Sequence, residues 1–437
     1  MSDKKLLPRG LASGVVNSVG MGSTFLTSFL LAELVGVDQF GVYSLTLSAA
    51  LFVFFPFQYG LQNSVLRACS RLRSGDDGLT VNRLVKAFLL VAVASGACLA
   101  GLCMLALGLM PMPYSEELIW GVCCSFVILL IKVVSGIARG SGMPLMGQVP
   151  DALVRQFLFL LMIAFVGSTG VQLKEDAAST ALTLHLTSAL FALFFGFLLI
   201  RPILNEVSQR EIDSPLLGGV FVASLPLMGV GALQAFSTQL DIILLGLFVG
   251  DAAAVGSYKL ALQLNVLLGF PLFALNMLVA PKIASMHAAL HDRSDIEYFV
   301  QRVSRISVTA TILLYLQIVF LMRPLLDPLV SFDTESMREL ALIVGVGQLV
   351  NSACGPVGVL LTMANRDSVV LRSLAIAAFV NVAANLSLIP VFDARGAALA
   401  TVLSFTVWNL LLVRSAQREL GITTHVAGLF LGAGRNR

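Results

Sequence analysis

Apolar runs of about twenty residues follow one another along nearly the whole chain, and no other feature narrows the possible folds so far. Six such runs lie between residues 10 and 200 and six more between 217 and 414. At ~1.5 Å per residue, each is long enough as a helix to cross a hydrocarbon core of ~30 Å. Lipid supplies no hydrogen bonds to the backbone, so runs of this length read as helices rather than open strands. Composition agrees: hydrophobic residues make up 57% of the chain and charged residues 12%, with a mean hydropathy of +0.90. A soluble domain carries about 25% charged residues. The expected fold is therefore an all-α polytopic membrane protein with about twelve transmembrane helices. The first run follows Lys4, Lys5 and Arg9. It is too long for the apolar region of a signal peptide and shows no small-x-small cleavage site, so it reads as a retained span.

The net charge of +3 says little, but the placement of the charges says more. With the N-terminus inside, Lys4, Lys5, Arg9, Arg67, Arg71, Arg73, Arg83, Lys86, Arg139, Arg155, Arg201, Arg210, Lys282, Arg293 and most later arginines fall in cytoplasmic segments. The outer loops hold only Lys174, Arg323, Arg338 and Arg395. Such a bias predicts that both termini are cytoplasmic and that the number of spans is even. The longest polar connection, RPILNEVSQREIDSP at 201–215, divides the spans into equal sets. It predicts an N-terminal six-helix lobe at 1–203, a cytoplasmic linker at 204–215, and a C-terminal six-helix lobe with a short cytoplasmic tail at 216–437.

An internal echo supports two lobes. GVYSLTLSAALFVFFPFQYG at 41–60 returns as GSYKLALQLNVLLGFPLFAL at 256–275, pairing Gly41 with Gly256, Tyr43 with Tyr258 and Phe55-Pro56 with Phe270-Pro271. Both copies enter the second helix of a lobe in the same direction, which makes the repeat parallel, with its axis along the membrane normal. Two similar lobes rocking about a central site are a transporter's plan. A membrane enzyme has no need of it.

Several stretches also resemble a known family. LDIILLGLFVGDAAAVGSYKLALQLNVLLGFPLFALNMLVAPKIA is similar to the seventh and eighth helices of polysaccharide flippases of the MOP superfamily. GPVGVLLTMANRDSVVLRS and NVAANLSLIPVFDARGAALATVLS resemble their tenth to twelfth helices, with Asn385, Pro390, Gly396, Ala397 and Ala398 in place, and LVGVDQFGVYSL resembles the opening loop. The resemblance implies a Wzx-type O-antigen or exopolysaccharide flippase. Such a protein moves undecaprenyl-diphosphate-linked oligosaccharide from the cytoplasmic to the periplasmic leaflet by alternating access. Its partners would be that lipid-linked substrate, membrane lipids, and polysaccharide polymerase and other assembly proteins. The resemblance calls for no cofactor, metal or nucleic acid.

Polar groups within spans are costly and mark candidate sites. Gln234, Ser237, Thr238 and Asp241 form one face of the seventh helix, and Asn17, Thr24 and Thr27 a similar stripe on the first. Asp241 reads as the one carboxylate well inside a span, serving either in coupling or as an ion-pair partner. Lys259 and Gln263 sit one turn apart at the outer end of the eighth helix. Lys259 there either meets the diphosphate as a compact charge or snorkels to the interface. Lys132, Ser135 and Arg139 on the fourth helix make a loading site for an anionic head group, or cytoplasmic anchors. Gln58, Gln62 and Asn63, Gln348 and Asn351, and Asn381 and Asn385 suit sugar hydroxyls, or else hydrogen bonds between helices. Pro56, Pro226, Pro271 and Pro356 permit bends. His185 titrates near working pH when unperturbed, though a lone histidine in a packed helix is usually structural. His287 and His291 have helical metal spacing but lack a zincin's glutamate, and the six cysteines read as reduced, packed thiols.

Two rival functions remain. A cation-coupled multidrug antiporter of the MATE type would want an acidic, aromatic-lined pocket, and the chain has two tryptophans. A polysaccharide polymerase or ligase would need a sizeable outer loop, and those near 110–117, 170–177 and 324–336 are short. No phosphate loop, nucleophile elbow or catalytic dyad is present, so the chain reads as no enzyme.

Overall fold

The computed structural model describes residues 6–73, 78–109, 113–169, 176–205, 214–288 and 292–424. These form helices throughout, with no strand among the described residues. The order is α1 (Leu6–Val35), α2 (Val37–Arg73), α3 (Gly78–Leu109), α4 (Ser115–Gly140), α5 (Gln156–Ser168), α6 (Ala177–Leu204) and α7 (Ser214–Val249). It continues with α8 (Ala252–Ala288), α9 (Arg293–Phe320), α10 (Met322–Leu326), α11 (Glu335–Cys354), α12 (Val357–Met363) and α13 (Asp367–Leu420). A π-helical turn, Pro150–Arg155, leads directly into α5.

Among the described residues, 10 helices are long and apolar enough to cross a membrane, and the bent pair α11–α12 makes 11. The 54 residues of α13 would reach ~80 Å if straight, more than two hydrocarbon cores. They are instead two runs folded at Asp393, where φ 50 and ψ −132 interrupt the helical path. With α13 counted as two, the crossings reach the twelve expected from the apolar runs. The 204–215 connection lies mostly outside the described residues. By internal contacts the chain divides into two compact units, Met1–Ile243 and Leu244–Arg437, the division falling inside α7.

In the first unit α2 and α4 make the most extensive helix pair, and glycine is the reason. Hydrocarbon removes the hydrophobic incentive for helices to associate, so close van der Waals packing must supply it. Gly136 and Gly140, a G-x-x-x-G pair, let α4 lie directly on α2. A Cβ on Gly136 would sit 2.6 Å from the Gln62 carbonyl oxygen, and one on Gly140 would sit 2.8 Å from that of Leu66. Around this seam Phe54, Leu61, Val65, Phe88, Leu129, Val133 and Ile137 are fully or almost fully buried. Asn82, also buried, donates to the carbonyls of Ile203 and Leu204 at 2.9 and 3.0 Å, satisfying two of the orphan groups that end α6. Leu102, Leu105, Phe165 and Phe194 point outward, as a lipid-facing surface requires.

The internal echo has a structural meaning. The helices that carry it, α2 and α8, both run for 37 residues. Each contains its matched proline and follows a glycine in the left-handed region, Gly36 at φ 86 and Gly250 at φ 69. In the first unit the Tyr43 hydroxyl lies 3.0 Å from His185 Nδ1, 142 residues on. In the second the Tyr258 hydroxyl lies 3.0 Å from Thr401 Oγ1, 143 residues on. The same tyrosine thus ties each repeat-bearing helix to a run about 140 residues later, α2 to α6 in the first unit and α8 to α13 in the second.

Gly136→Val tests the seam. The added side chain meets backbone, which cannot rotate away, and overpacking of this kind costs about 1–3 kcal/mol. The variant should show a lower thermal midpoint in detergent and reduced membrane abundance, while Gly101→Val, where a Cβ meets nothing within 4 Å, should not.

Candidate functional site

The first unit holds a buried polar cluster that joins four helical elements. Lys132 on α4 donates from Nζ to Asp151 Oδ2 at 2.6 Å. Arg155, one turn beyond Asp151 on the π-helical turn, donates from Nε and Nη2 to Asp151 Oδ1 at 3.0 and 2.8 Å. The two carboxylate oxygens are therefore divided between two cations. Arg155 Nη1 also lies 2.9 Å from His185 Nε2 on α6. A guanidinium has no acceptor, so Nε2 accepts, and the Nδ1 proton of the neutral ring faces the Tyr43 oxygen on α2. The imidazole is fixed in plane by Phe159, stacked on it at 4.7 Å and 14°.

Local sequence explains the turn that makes this possible. Pro150 starts the π-helical segment where it has no N–H to lose, and the wider π turn sets Asp151 and Arg155 on one face of the chain leading into α5. Burial orders the three charged groups. The Lys132 side chain is 31% exposed, Asp151 17% and Arg155 11%. Lys132 is thus the cation that an incoming group can reach, while Arg155 is held by two partners. As a set, the cluster has two cations against one carboxylate.

The structure adds two things to the sequence reading. Arg155, counted among the cytoplasmic positive charges, turns its side chain onto Asp151 and His185. Asp151, near the start of the apolar helical run Met146–Ser168, joins Asp241 as a second carboxylate within a spanning helix, nearer the helix end. The i,i+4 spacing of Asp151 and Arg155 was a legible sign of an ion pair; its link to Lys132 and His185, on other helices, was not.

The remaining candidates fall out by chemistry. Asp241 is buried, at 7% exposure, and Gln234 and Ser237 on its face are half-buried. The hydroxyls of Thr24, Thr27, Ser237 and Thr238 donate to carbonyls four residues back, which satisfies them within their own helices. Gln58 donates to the Ser125 carbonyl at 3.3 Å and serves the α2–α4 seam. Asn63 bonds back to the Tyr59 carbonyl at 2.8 Å, and Gln62 is half-buried beside it. In the second unit Lys259 and Gln263 are half-buried, and no carboxylate of the described residues lies within ion-pair distance of Lys259. Asn385 donates to the Asn381 carbonyl at 2.9 Å, deep within α13. Asn351 donates to Gln348 Oε1 at 3.1 Å. Gln348 itself lies over Gly269, in space that any side chain there would occupy. His291 and the side chain of His287 lie outside the described residues.

Three solved structures share this architecture. The lipid II flippase MurJ in an inward closed conformation aligns with a TM-score of 0.74 at 12% identity, over 93% of this chain and 87% of that one. An inward-facing multidrug resistance MATE family transporter of the MOP superfamily aligns at 0.71 and 12% identity, over 94% and 98%. The MATE multidrug transporter DinF-BH aligns at 0.64 and 17%, over 96% of each chain. The fold is that of MOP-superfamily transporters. No family model and no curated protein matches the sequence.

Asp151→Asn leaves two cations facing each other without their counterion, a loss on the order of 3 kcal/mol for a buried pair. It should lower the thermal midpoint of the purified protein. Lys132→Met in the same chain should recover part of the loss, because one of the stranded charges is gone. Strictly additive effects of the two substitutions would show that the pair is not coupled.

Proposed function

We propose that this chain is a flippase for an anionic lipid-linked oligosaccharide, carrying undecaprenyl-diphosphate-linked repeat units across the bacterial inner membrane for polysaccharide assembly. The observation that carries this reading is the charge of the first unit's buried cluster, two cations on one carboxylate, with the more exposed cation, Lys132, on its accessible side. A diphosphate oxygen can take the place of Asp151 on Lys132 without stranding Arg155, which keeps Asp151 and His185. Lys259, with no carboxylate at hand, adds a second point charge of the same sign. The head group would travel through a polar path while the polyprenyl tail stays in lipid. That division is favoured because each CH₂ taken out of hydrocarbon costs about 0.8 kcal/mol.

A second reading, a cation-coupled MATE-like drug antiporter, is favoured by the buried Asp241 and by fold likeness of the same order. A coupling carboxylate there would bind a proton or cation in exchange for a cationic drug.

Deletion of the gene, in a strain with no second flippase, should trap lipid-linked oligosaccharide on the cytoplasmic leaflet and abolish a surface or secreted polysaccharide. Unchanged polysaccharide together with new drug susceptibility would replace the first reading with the second.

Asp241→Asn separates the roles of that carboxylate. A variant that reaches normal abundance and exports poorly assigns its charge to transport. One whose export tracks a reduced abundance assigns it to helix packing.

A further inference from the structure

The second unit contains a cavity of about 410 Å³ at the break between α11 and α12. The break is built into the chain. Gly355 takes φ 72, in the region that side chains avoid, Pro356 follows, and α12 leaves at 45° to α11. The space so opened is lined by Asn276 of α8, Asn351 of α11, Thr362 of α12, and Trp408 and Asn409 of α13, among apolar neighbours.

Its chemistry is specific. No charged residue lines it, so it offers a phosphate or a cation no counter-charge. It offers three carboxamides, a hydroxyl and an indole. Two lining side chains carry a buried polar atom with no hydrogen-bond partner among the described residues, Asn276 Oδ1, an acceptor, and Trp408 Nε1, a donor. Buried polar atoms are nearly always paired, so two unpaired ones on lining residues mark where a ligand with hydroxyls would gain hydrogen bonds. Asn351 and Asn409 each use an amide N–H on Gln348 and on the Phe405 carbonyl, which fixes their orientation. The volume lies within the ~300–1,000 Å³ range of small-molecule sites.

We propose that this cavity binds a neutral sugar ring of the transported head group. A pyranose presents apolar C–H faces, suited to an indole, and a rim of hydroxyls that both donate and accept, suited to carboxamides. The apolar remainder of the lining excludes water around that rim. Under the predicted orientation the cavity lies toward the cytoplasmic ends of α8 and α11, the side from which a head group would load. The inference rests on the flippase reading for the source of the sugar, but not for the binding itself.

The chain has two tryptophans, Trp120 and Trp408, so Trp120→Phe makes emission report on the cavity alone. The purified variant in nanodiscs, free of sugar-based detergent, is titrated with methyl glycosides of glucose, galactose, mannose, rhamnose and N-acetylglucosamine. At least one should give a saturable change in emission. Thr362→Val, which keeps the shape and removes the hydroxyl, should weaken it about tenfold, as expected for one lost hydrogen bond. Asn351→Ala, measured alongside, should weaken it too. No saturable change with any glycoside, undiminished binding in both variants, or a change produced by decanol and by no sugar would each overturn the proposal, the last in favour of a lipid chain. Polysaccharide export in the deletion strain is read separately, so a failed sugar site and a failed flippase assignment give different results.

Discussion

Hydrocarbon offers no hydrogen bonds, and nearly every feature of this protein is an answer to that constraint. The backbone answers it locally by closing i to i−4 bonds along most of its length, which is why the described residues are largely helical. Side chains answer it in two ways. Many serine and threonine hydroxyls, such as those of Thr24, Thr27 and Ser237, bond back to their own helices and so cost little. The larger polar groups cannot, and must find partners on other helices. Asp151 is the clearest case, with its two oxygens divided between a lysine from α4 and an arginine from its own turn, and with the arginine in turn handed on to His185 and Tyr43. Removing Asp151 takes the shared counterion from both cations at once.

The two units answer the same constraint in parallel. Tyr43 and Tyr258 occupy matched places in the repeat, and each carries its hydroxyl to a polar group about 140 residues later in its own unit. The bonded groups differ: in the first unit the tyrosine meets a histidine that belongs to an ionic cluster, in the second a threonine.

The bends place polar side chains as much as the straight segments do. Pro150 opens the π-helical turn that aligns Asp151 with Arg155, and Gly355-Pro356 opens the cavity beside Trp408. Both place irregular backbone where polar side chains can satisfy it, the condition under which a membrane protein tolerates such backbone at all. Glycines at the α2–α4 seam have the opposite effect. They let α4 lie directly against the backbone of α2.

Much of this was legible in the chain itself. The spans, their number and the repeat follow from apolar runs and from Gly-x-Tyr…Phe-Pro, because lipid acts on each segment of about twenty residues independently of its neighbours. The pairing of polar groups was not legible. Arg155 read only as one of the cytoplasmic positive charges, and it is packing against α4 and α6 that sets its side chain on Asp151 and His185. Asn351 was visible as a polar residue in a span, but Asn276, Trp408 and Asn409 join it from two other helices, α8 and α13. Helix formation is decided by each segment's own composition. Which buried polar atoms meet is decided by residues far apart in sequence, and only the tertiary structure brings those together.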